Sequence, residues 1–539
     1  MAPVPSGPQV RFAPVALVGA HISTVLYLSF VVGRGLYRSY QGLGPAQDIR
    51  SRESRRKKLI PVFACLAALA LGLAGYSSAR YAILSYQVWA DQHGLDLPKR
   101  LFGTAIPFIE RENTTKVHIG RWLSDTSIYM DALEIVAEKA RRFWWGQQID
   151  LATIPWTLLL TIEGRRRRIP YLWAYLLLAH LVNLSFAQNL FYVALLLTPF
   201  PLAGGATTRI GRALEAVFPL KPANWHPRPW ILTGLLGLCY SAIFLLPYAA
   251  ETTSFASTVI FSRTFALALL AVPSIMPTSW GTTHPHPHDV YKGYKTLFRF
   301  SSLMSVLLHA KATLVGISSN YPEPHYHRHS IRTSLDNEVG MDWEQSATAF
   351  GRILASTSDH PVVAAIARDV VLSAISLGIW AAVRALDAND ILASAIPLYG
   401  AGPNSLTDDI ASIASSETAA IKEEDIKLED PEPSRTPAKR KSRKSKAGND
   451  HAEGADDETT TPSGTRRRRG ARKSKPDPEE VPGDKTYKPS PSVRAGVAEG
   501  DTITEGLDWE ATALTWGLTT LGGLGCGSAG VYGGECISR

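Results

Sequence analysis

RRFWWGQQIDLATIPWTLLLTIEGRRRRIPYLWAYLLLAHLVNLSFAQNLFYVALLLTPFP, residues 141–201, carries two apolar runs on either side of four consecutive arginines, 165–168. Gln147, Gln148, Asp150, Glu163, His180, Asn183, Gln188 and Asn189 sit inside or at the ends of those runs. Hydrocarbon tolerates such groups only where something satisfies them. The stretch reads as two crossings joined by a basic cytosolic turn. It sets the class of the chain: all-α, a polytopic transmembrane helix bundle.

Working outward, similar runs recur from about residue 10 to about residue 398. At about 20 residues per crossing, segments 12–32, 59–76, 151–162, 170–200, 230–249, 256–276, 298–317 and 362–386 give about eight spans. Segment 151–162 reaches span length when Gln147, Gln148 and Asp150 are taken into it. Segment 298–317 is the weakest, because it holds Arg299, His309 and Lys311. Whole-chain averages hide this pattern: 539 residues, 45% hydrophobic, mean hydropathy −0.01. They blend a membrane region with a charged, Pro/Ser-rich tail, residues 401–505, whose composition predicts disorder.

The net charge of +8 arises mainly in short loops and the tail, where orientation by basic residues explains it without a nucleic-acid partner. Eight basic residues between Arg34 and Lys58 place that loop in the cytosol and the N-terminus in the lumen. The sequon Asn113-Thr114-Thr115 then falls on the lumenal side. The first apolar run, 12–32, reads as a retained span rather than a cleaved signal. Eight crossings leave the basic clusters of the tail, 435–446 and 466–475, in the lumen, against the charge rule, unless one segment is re-entrant. The endpoint, residues 506–539, is Gly-rich and apolar: a further span, an interfacial patch, or a misassigned end. Cys65, Cys239, Cys526 and Cys536 show no metal or disulfide spacing.

Ionisable groups inside spans are functional candidates. Asp150, Glu163, His180, Arg263 and Asp369 qualify. Asp369 lies in the first turns of IARDVVLSAISLGIWAAVRAL, with Arg368 about 100° away around the helix. His180 and Asn183 share a helical face, Gln188 stands about 80° off, and Asn189 is opposite. Asp150 also fits a helix N-cap before LATIPW. The segment MDALEIVAEKARRFWW, residues 130–145, predicts one interfacial helix anchored by Trp144 and Trp145. Two histidine clusters, His284/His286/His288 and His325/His327/His329, have imidazoles suited to zinc or copper, but span 298–317 separates them across the membrane. No metal site is therefore assigned. The acids of SLDNEVGMDWEQ lack ligand spacing, and phosphate-loop, GxSxG and HExxH motifs are absent. The GxGxxG at residues 525–530 has no strand before it.

At FWWGQQIDL (143–151), IEGRRRRIPYLWAYLLLAHLVNLSFAQNLFYV (162–193) and GIWAAVRALD (378–387) the chain resembles a family of fungal integral-membrane proteins, the membrane-bound terpene cyclases of ascochlorin-type meroterpenoid biosynthesis. The resemblance covers about residues 10–400 and not the tail. It implies a cofactor-free, acid-initiated cyclisation of a prenylated or epoxyprenylated intermediate in the endoplasmic reticulum. It implies one buried carboxylic acid as proton donor, drawn from Asp150, Asp369 and Glu163, and aromatic faces for the cation from Phe143, Trp144, Trp145, Trp156, Trp173 and Tyr175. Trp144, Trp145, His180, Asn183 and Gln188 are the expected substrate contacts. The partners expected are the lipid bilayer and a hydrophobic small molecule, with nucleic acid disfavoured and oligomeric state open. The competing class is a non-enzymatic polytopic carrier or scaffold.

Overall fold

The structure, a computed structural model, describes residues 11–41, 50–95, 118–198, 225–283, 288–322, 338–384, 386–397, 399 and 507–537. Among these, fourteen α-helices form. They are α1 (Phe12–Gln41), α2 (Arg50–Gln92), α3 (Ile119–Asp125), α4 (Ile128–Glu138), α5 (Ala140–Leu159), α6 (Leu172–Leu181) and α7 (Leu184–Leu197). A second set follows: α8 (Pro229–Ala249), α9 (Phe255–Ile275), α10 (His288–Ser319), α11 (Glu338–Ala355), α12 (Pro361–Arg384), α13 (Ala388–Ala395) and α14 (Trp509–Ile537). Strands β1 (Trp225–Pro227) and β2 (Gly281–Thr283) pair antiparallel beside them.

Helices α1, α2, α8, α9, α10 and α12 each contain a stretch long and apolar enough to cross a membrane. Their outward faces are apolar too. Leu26 is 66% exposed and Ile260 66%, with Leu17, Phe30, Leu245 and Phe261 also uncovered. Faces of this kind aggregate in water and are matched in lipid. The chain is a multi-pass membrane protein.

The remaining apolar segments differ from simple spans. Segment 151–162 belongs to α5, which runs on into a π-helical turn, Leu160–Gly164. Thirteen residues of α5 are buried, Gln147, Gln148 and Thr153 among them, so its polar content is covered by protein rather than by lipid. Segment 170–200 is not one helix. It breaks at Val182–Asn183, where Asn183 takes an extended conformation (φ −168°, ψ 163°) and its side-chain oxygen accepts from the Phe186 N–H at 3.0 Å. Segment 130–145 is likewise two helices, with Lys139 extended at the corner.

The Gly-rich end, which the sequence left as a span or an interfacial patch, packs as α14 against α5, α10, α12 and α13. From Gly522 to Cys536 it is buried without interruption. Small residues let helix backbones approach closely in a membrane domain. A Cβ on Gly525 would come within 2.8 Å of Leu151 on α5, and one on Gly522 within 3.1 Å of Val306 on α10. At Gly523 the backbone kinks (φ 82°, ψ 167°), a region essentially closed to other residues. The Leu524 N–H freed there donates to Gln148 Oε1 at 2.8 Å. Elsewhere in the core Tyr192 stacks on Trp380, ring centroids 4.4 Å apart, and Phe63 packs edge-on to both. Asn113, the two histidine clusters and the tail 401–506 lie outside the described residues or side chains.

Candidate functional site

A cavity of about 260 Å³ lies among α2, α4, α5, α8, α9, α12 and the end of α6. Its volume is just below the roughly 300–1,000 Å³ of small-molecule sites. The walls are mainly small or apolar, among them Ala74, Leu133, Val136, Phe143, Phe255, Val259 and Ile366. The polar lining is Ser78, Asp150, His180, Asn183, Ser262, Arg263 and Asp369.

Local structure explains how these groups meet. The corner at Lys139 sets α4 against α5, and Leu133 and Val136 of α4 line the cavity together with Asp150 of α5. Asp150 is mid-helix, not an N-cap, and Arg263 Nη2 lies 3.6 Å from its Oδ1. Arg263 is the single charged residue of α9. Its Nη1 is 2.7 Å from His180 Nδ1. The three side chains therefore form a chain, carboxylate to guanidinium to imidazole, drawn from three helices.

The break before α7 recruits the other pair. Helix N-termini leave backbone N–H groups without intrahelical partners. The Leu184 and Ser185 N–H groups donate to Asp369 Oδ2 and Oδ1 at 3.0 and 2.8 Å, and Asn183 takes the Phe186 N–H. Asp369, two turns into α12, is thus a carboxylate cap on a different helix. Its neighbour Arg368 turns away and donates to Ser77 Oγ at 2.9 Å. Asn183 Nδ2 donates to the Ala70 carbonyl at 3.2 Å. The helical-face argument for His180 and Asn183 does not survive the break, yet both line the cavity.

Other candidates lie elsewhere. The Glu163 carboxylate accepts from Arg166 Nη1 at 2.7 Å and Arg167 Nε at 3.1 Å. Arg167 also lies 3.5 Å from Glu535, which Arg384 grips with two contacts of 2.9 Å. This is a buried ion cluster joining the end of α5, α12 and α14, and it folds Arg167 (3% exposed) inward rather than leaving the arginine run in solvent. Trp144 and Trp145 pack against one another and donate to Thr313 Oγ1 and the Ile353 carbonyl. Gln188 bonds Tyr192 and Tyr532 at the α7–α14 contact. Of the six aromatics considered for cation stabilisation, Phe143 alone lines the cavity. Among the described residues no group of three or more His, Cys, Asp or Glu is placed to hold a metal ion.

No family model, curated protein or solved structure matches the chain. The cavity itself therefore carries the functional argument. Arg263, already a candidate as an ionisable residue within an apolar run, gains its role here as the partner of Asp150 and His180. Glu535 is the residue the sequence reading did not single out; its signal was an acid within a Gly-rich apolar run.

Proposed function

We propose that this membrane protein binds an apolar small molecule bearing one polar group in the cavity between α4, α5, α9 and α12. The observation that carries the reading is the convergence of Asp150, Arg263, His180 and Asp369, from four helices, on one otherwise apolar cavity. Polar groups placed in hydrocarbon without purpose are selected against by their cost. Helices α6 and α9 each present one ionisable residue to the cavity, His180 and Arg263, beside Ser262 of α9 and Asn183 at the break after α6. A ligand with an apolar body and a polar end is complementary to that lining.

A catalytic form of the same reading is the acid-initiated terpene cyclase, favoured by the presence of Asp150 beside Phe143 in the cavity wall. Asp150 is then the proton donor, since the oxygens of Asp369 are committed to capping α7 and Glu163 sits in the ion cluster. In that reaction the proton passes from the carboxyl to an alkene carbon or epoxide oxygen of the substrate. Ring closure forms a carbon–carbon bond, and the final cation returns a proton to the carboxylate. The scarcity of aromatic rings around the cavity weighs toward binding or carriage instead. On the same proposal α5 with its π turn, and the broken pair α6–α7, supply the two crossings beyond six. Ala140–Gly164 is about 37 Å long at 1.5 Å per residue. The endoplasmic reticulum is the proposed location.

The test uses microsomes expressing the full chain, given prenylated and epoxyprenylated aromatic acceptors, beside Leu133→Trp and Asp150→Asn. Leu133→Trp fills the cavity and is expected to lower ligand uptake at least about tenfold with the protein still folded. Cyclised product lost in Asp150→Asn supports the enzyme, and uptake without product supports the carrier. Uptake indifferent to Leu133→Trp would exclude this cavity as the site.

A further inference from the structure

Among the residues lining the cavity, one buried polar atom has no partner, His180 Nε2. The charges around it decide what that atom is. A guanidinium has five N–H donors and no acceptor. Arg263 Nη1 lies 2.7 Å from His180 Nδ1, so Nδ1 carries the lone pair and receives the hydrogen bond. A ring whose Nδ1 is an acceptor is the neutral imidazole, and its proton resides on Nε2. His180 Nε2 is therefore an N–H donor, buried and unspent. Of the other polar lining groups, Asp369 accepts from two backbone N–H groups, Asn183 is taken by the Phe186 N–H and the Ala70 carbonyl, and Asp150 is ion-paired to Arg263 at 3.6 Å; the hydroxyls of Ser78 and Ser262 complete the lining.

The lining also limits the ligand's charge. Two carboxylates, Asp150 and Asp369, line the cavity with a single guanidinium, Arg263, and no lysine. An anionic head group would meet an excess of negative charge, and a diphosphate would lack the several cations it requires. Resting on the reading of this cavity as a small-molecule site, we infer that its ligand is a neutral apolar molecule ending in a carbonyl-type oxygen, which accepts the His180 Nε2–H. Burying that donor without a partner is costly, whereas a bound acceptor satisfies it. Asp150 contributes indirectly, holding Arg263 so that His180 keeps this tautomer.

The experiment measures equilibrium binding to the purified full chain in lipid nanodiscs, using a farnesyl ketone and the hydrocarbon, carboxylate and diphosphate of the same chain length. The ketone is expected to bind about tenfold tighter than the hydrocarbon, the worth of one satisfied buried donor at about 1.4 kcal/mol per decade. The carboxylate and diphosphate are expected to bind more weakly than the ketone. His180→Phe should erase the preference for the ketone over the hydrocarbon, with size-exclusion chromatography and circular dichroism of the nanodisc sample reporting that the variant is folded. His180→Gln, which keeps a donor, should restore part of the preference. Equal binding of ketone and hydrocarbon to the unaltered chain, or tightest binding of the diphosphate, overturns the inference alone. Failure of all four probes, with the chain folded, overturns the cavity reading and the inference together.

Discussion

Glu535→Ala probes how the C-terminal helix is held. In the structure Arg384 reaches both carboxylate oxygens at 2.9 Å, and Arg167 stands 3.5 Å from one of them. Glu535 is fully buried, and the two arginines are 4% and 3% exposed. A unit-charge pair at about 4 Å contributes roughly 4 kcal/mol at an effective dielectric near 20. Removing the glutamate loses that attraction to Arg384 and a part of that to Arg167. Relief of repulsion from the Glu163 carboxylate, which shares Arg167, offsets some of it. The balance leaves a guanidinium buried and uncompensated, and the expected loss is about 3–5 kcal/mol. Equilibrium unfolding of the purified chain in mixed micelles measures it, with the exposed Glu344→Ala as a control expected within about 0.5 kcal/mol. The pair Arg384→Met with Glu535→Met removes both charges and should recover more than half the loss, because apolar side chains of similar volume replace a buried ion pair at little cost. A Glu535→Ala variant within about 1 kcal/mol of the unaltered chain, or a double variant no better than the single one, would refute the reasoning.

Gly523→Ala should cost about 2 kcal/mol or more in the same assay. The φ of 82° is strained for alanine, and the new Cβ meets Gln148 Oε1 at 2.9 Å; a shift within error of zero would show that the kink relaxes freely. Asp369→Asn should cost about 0.5–2 kcal/mol, as other losses of helix caps do. Its effect is expected on stability rather than on ligand affinity, so a selective loss of binding with unchanged unfolding would return Asp369 to the list of ligand contacts.

The class of the fold was legible because hydropathy alone separates lipid-facing helices from the rest. Runs such as α1 and α9 are apolar on nearly every face and appear in the structure close to where the pattern puts them. What hydropathy could not show is where a run breaks. Residues 170–200 are apolar throughout, and the break at Val182–Asn183 depends on Asp369, which stands 185 positions from Leu184 and supplies the acceptor for the new helix end. The Gly-rich end failed to read as core for a related reason. Glycine has no apolar side chain to score, yet its absence of a Cβ is what lets α14 lie against α5 and α10. The candidate site divided similarly. Asp150, His180, Asn183 and Asp369 were visible as polar groups in apolar surroundings. Gln188 and Glu163 met the same criterion, and Trp144 and Trp145 stood as aromatic contacts, but the partners of all four are other buried groups, and one sequence does not distinguish a group facing a cavity from one facing a partner.

The two sites are mechanically related through α5. Asp150 and Glu163 stand thirteen positions apart on it, about 20 Å along a helix at 1.5 Å per residue. On the Asp150 side, Gln148 is tied to α14 by the Leu524 N–H and contacts His309 Nδ1 on α10 at 2.5 Å. At the Glu163 end, Arg167 carries the connection on to Glu535 of the same α14. The C-terminal helix therefore grips α5 on both sides of the segment 151–162, and the position of Asp150 relative to Arg263 depends on that grip. Positioning tolerances in functional sites are of order 0.5 Å, and rigid supporting elements are what meet them. A carboxylate 3.6 Å from its guanidinium partner has no hydrogen bond to hold it in register; the rigidity must come from the helix that bears it. That gives the buried, Gly-rich α14 a role beyond filling space. It acts as the brace that fixes the charged side of the cavity, and a variant that loosens the Glu535 cluster should blur ligand affinity before it unfolds the chain.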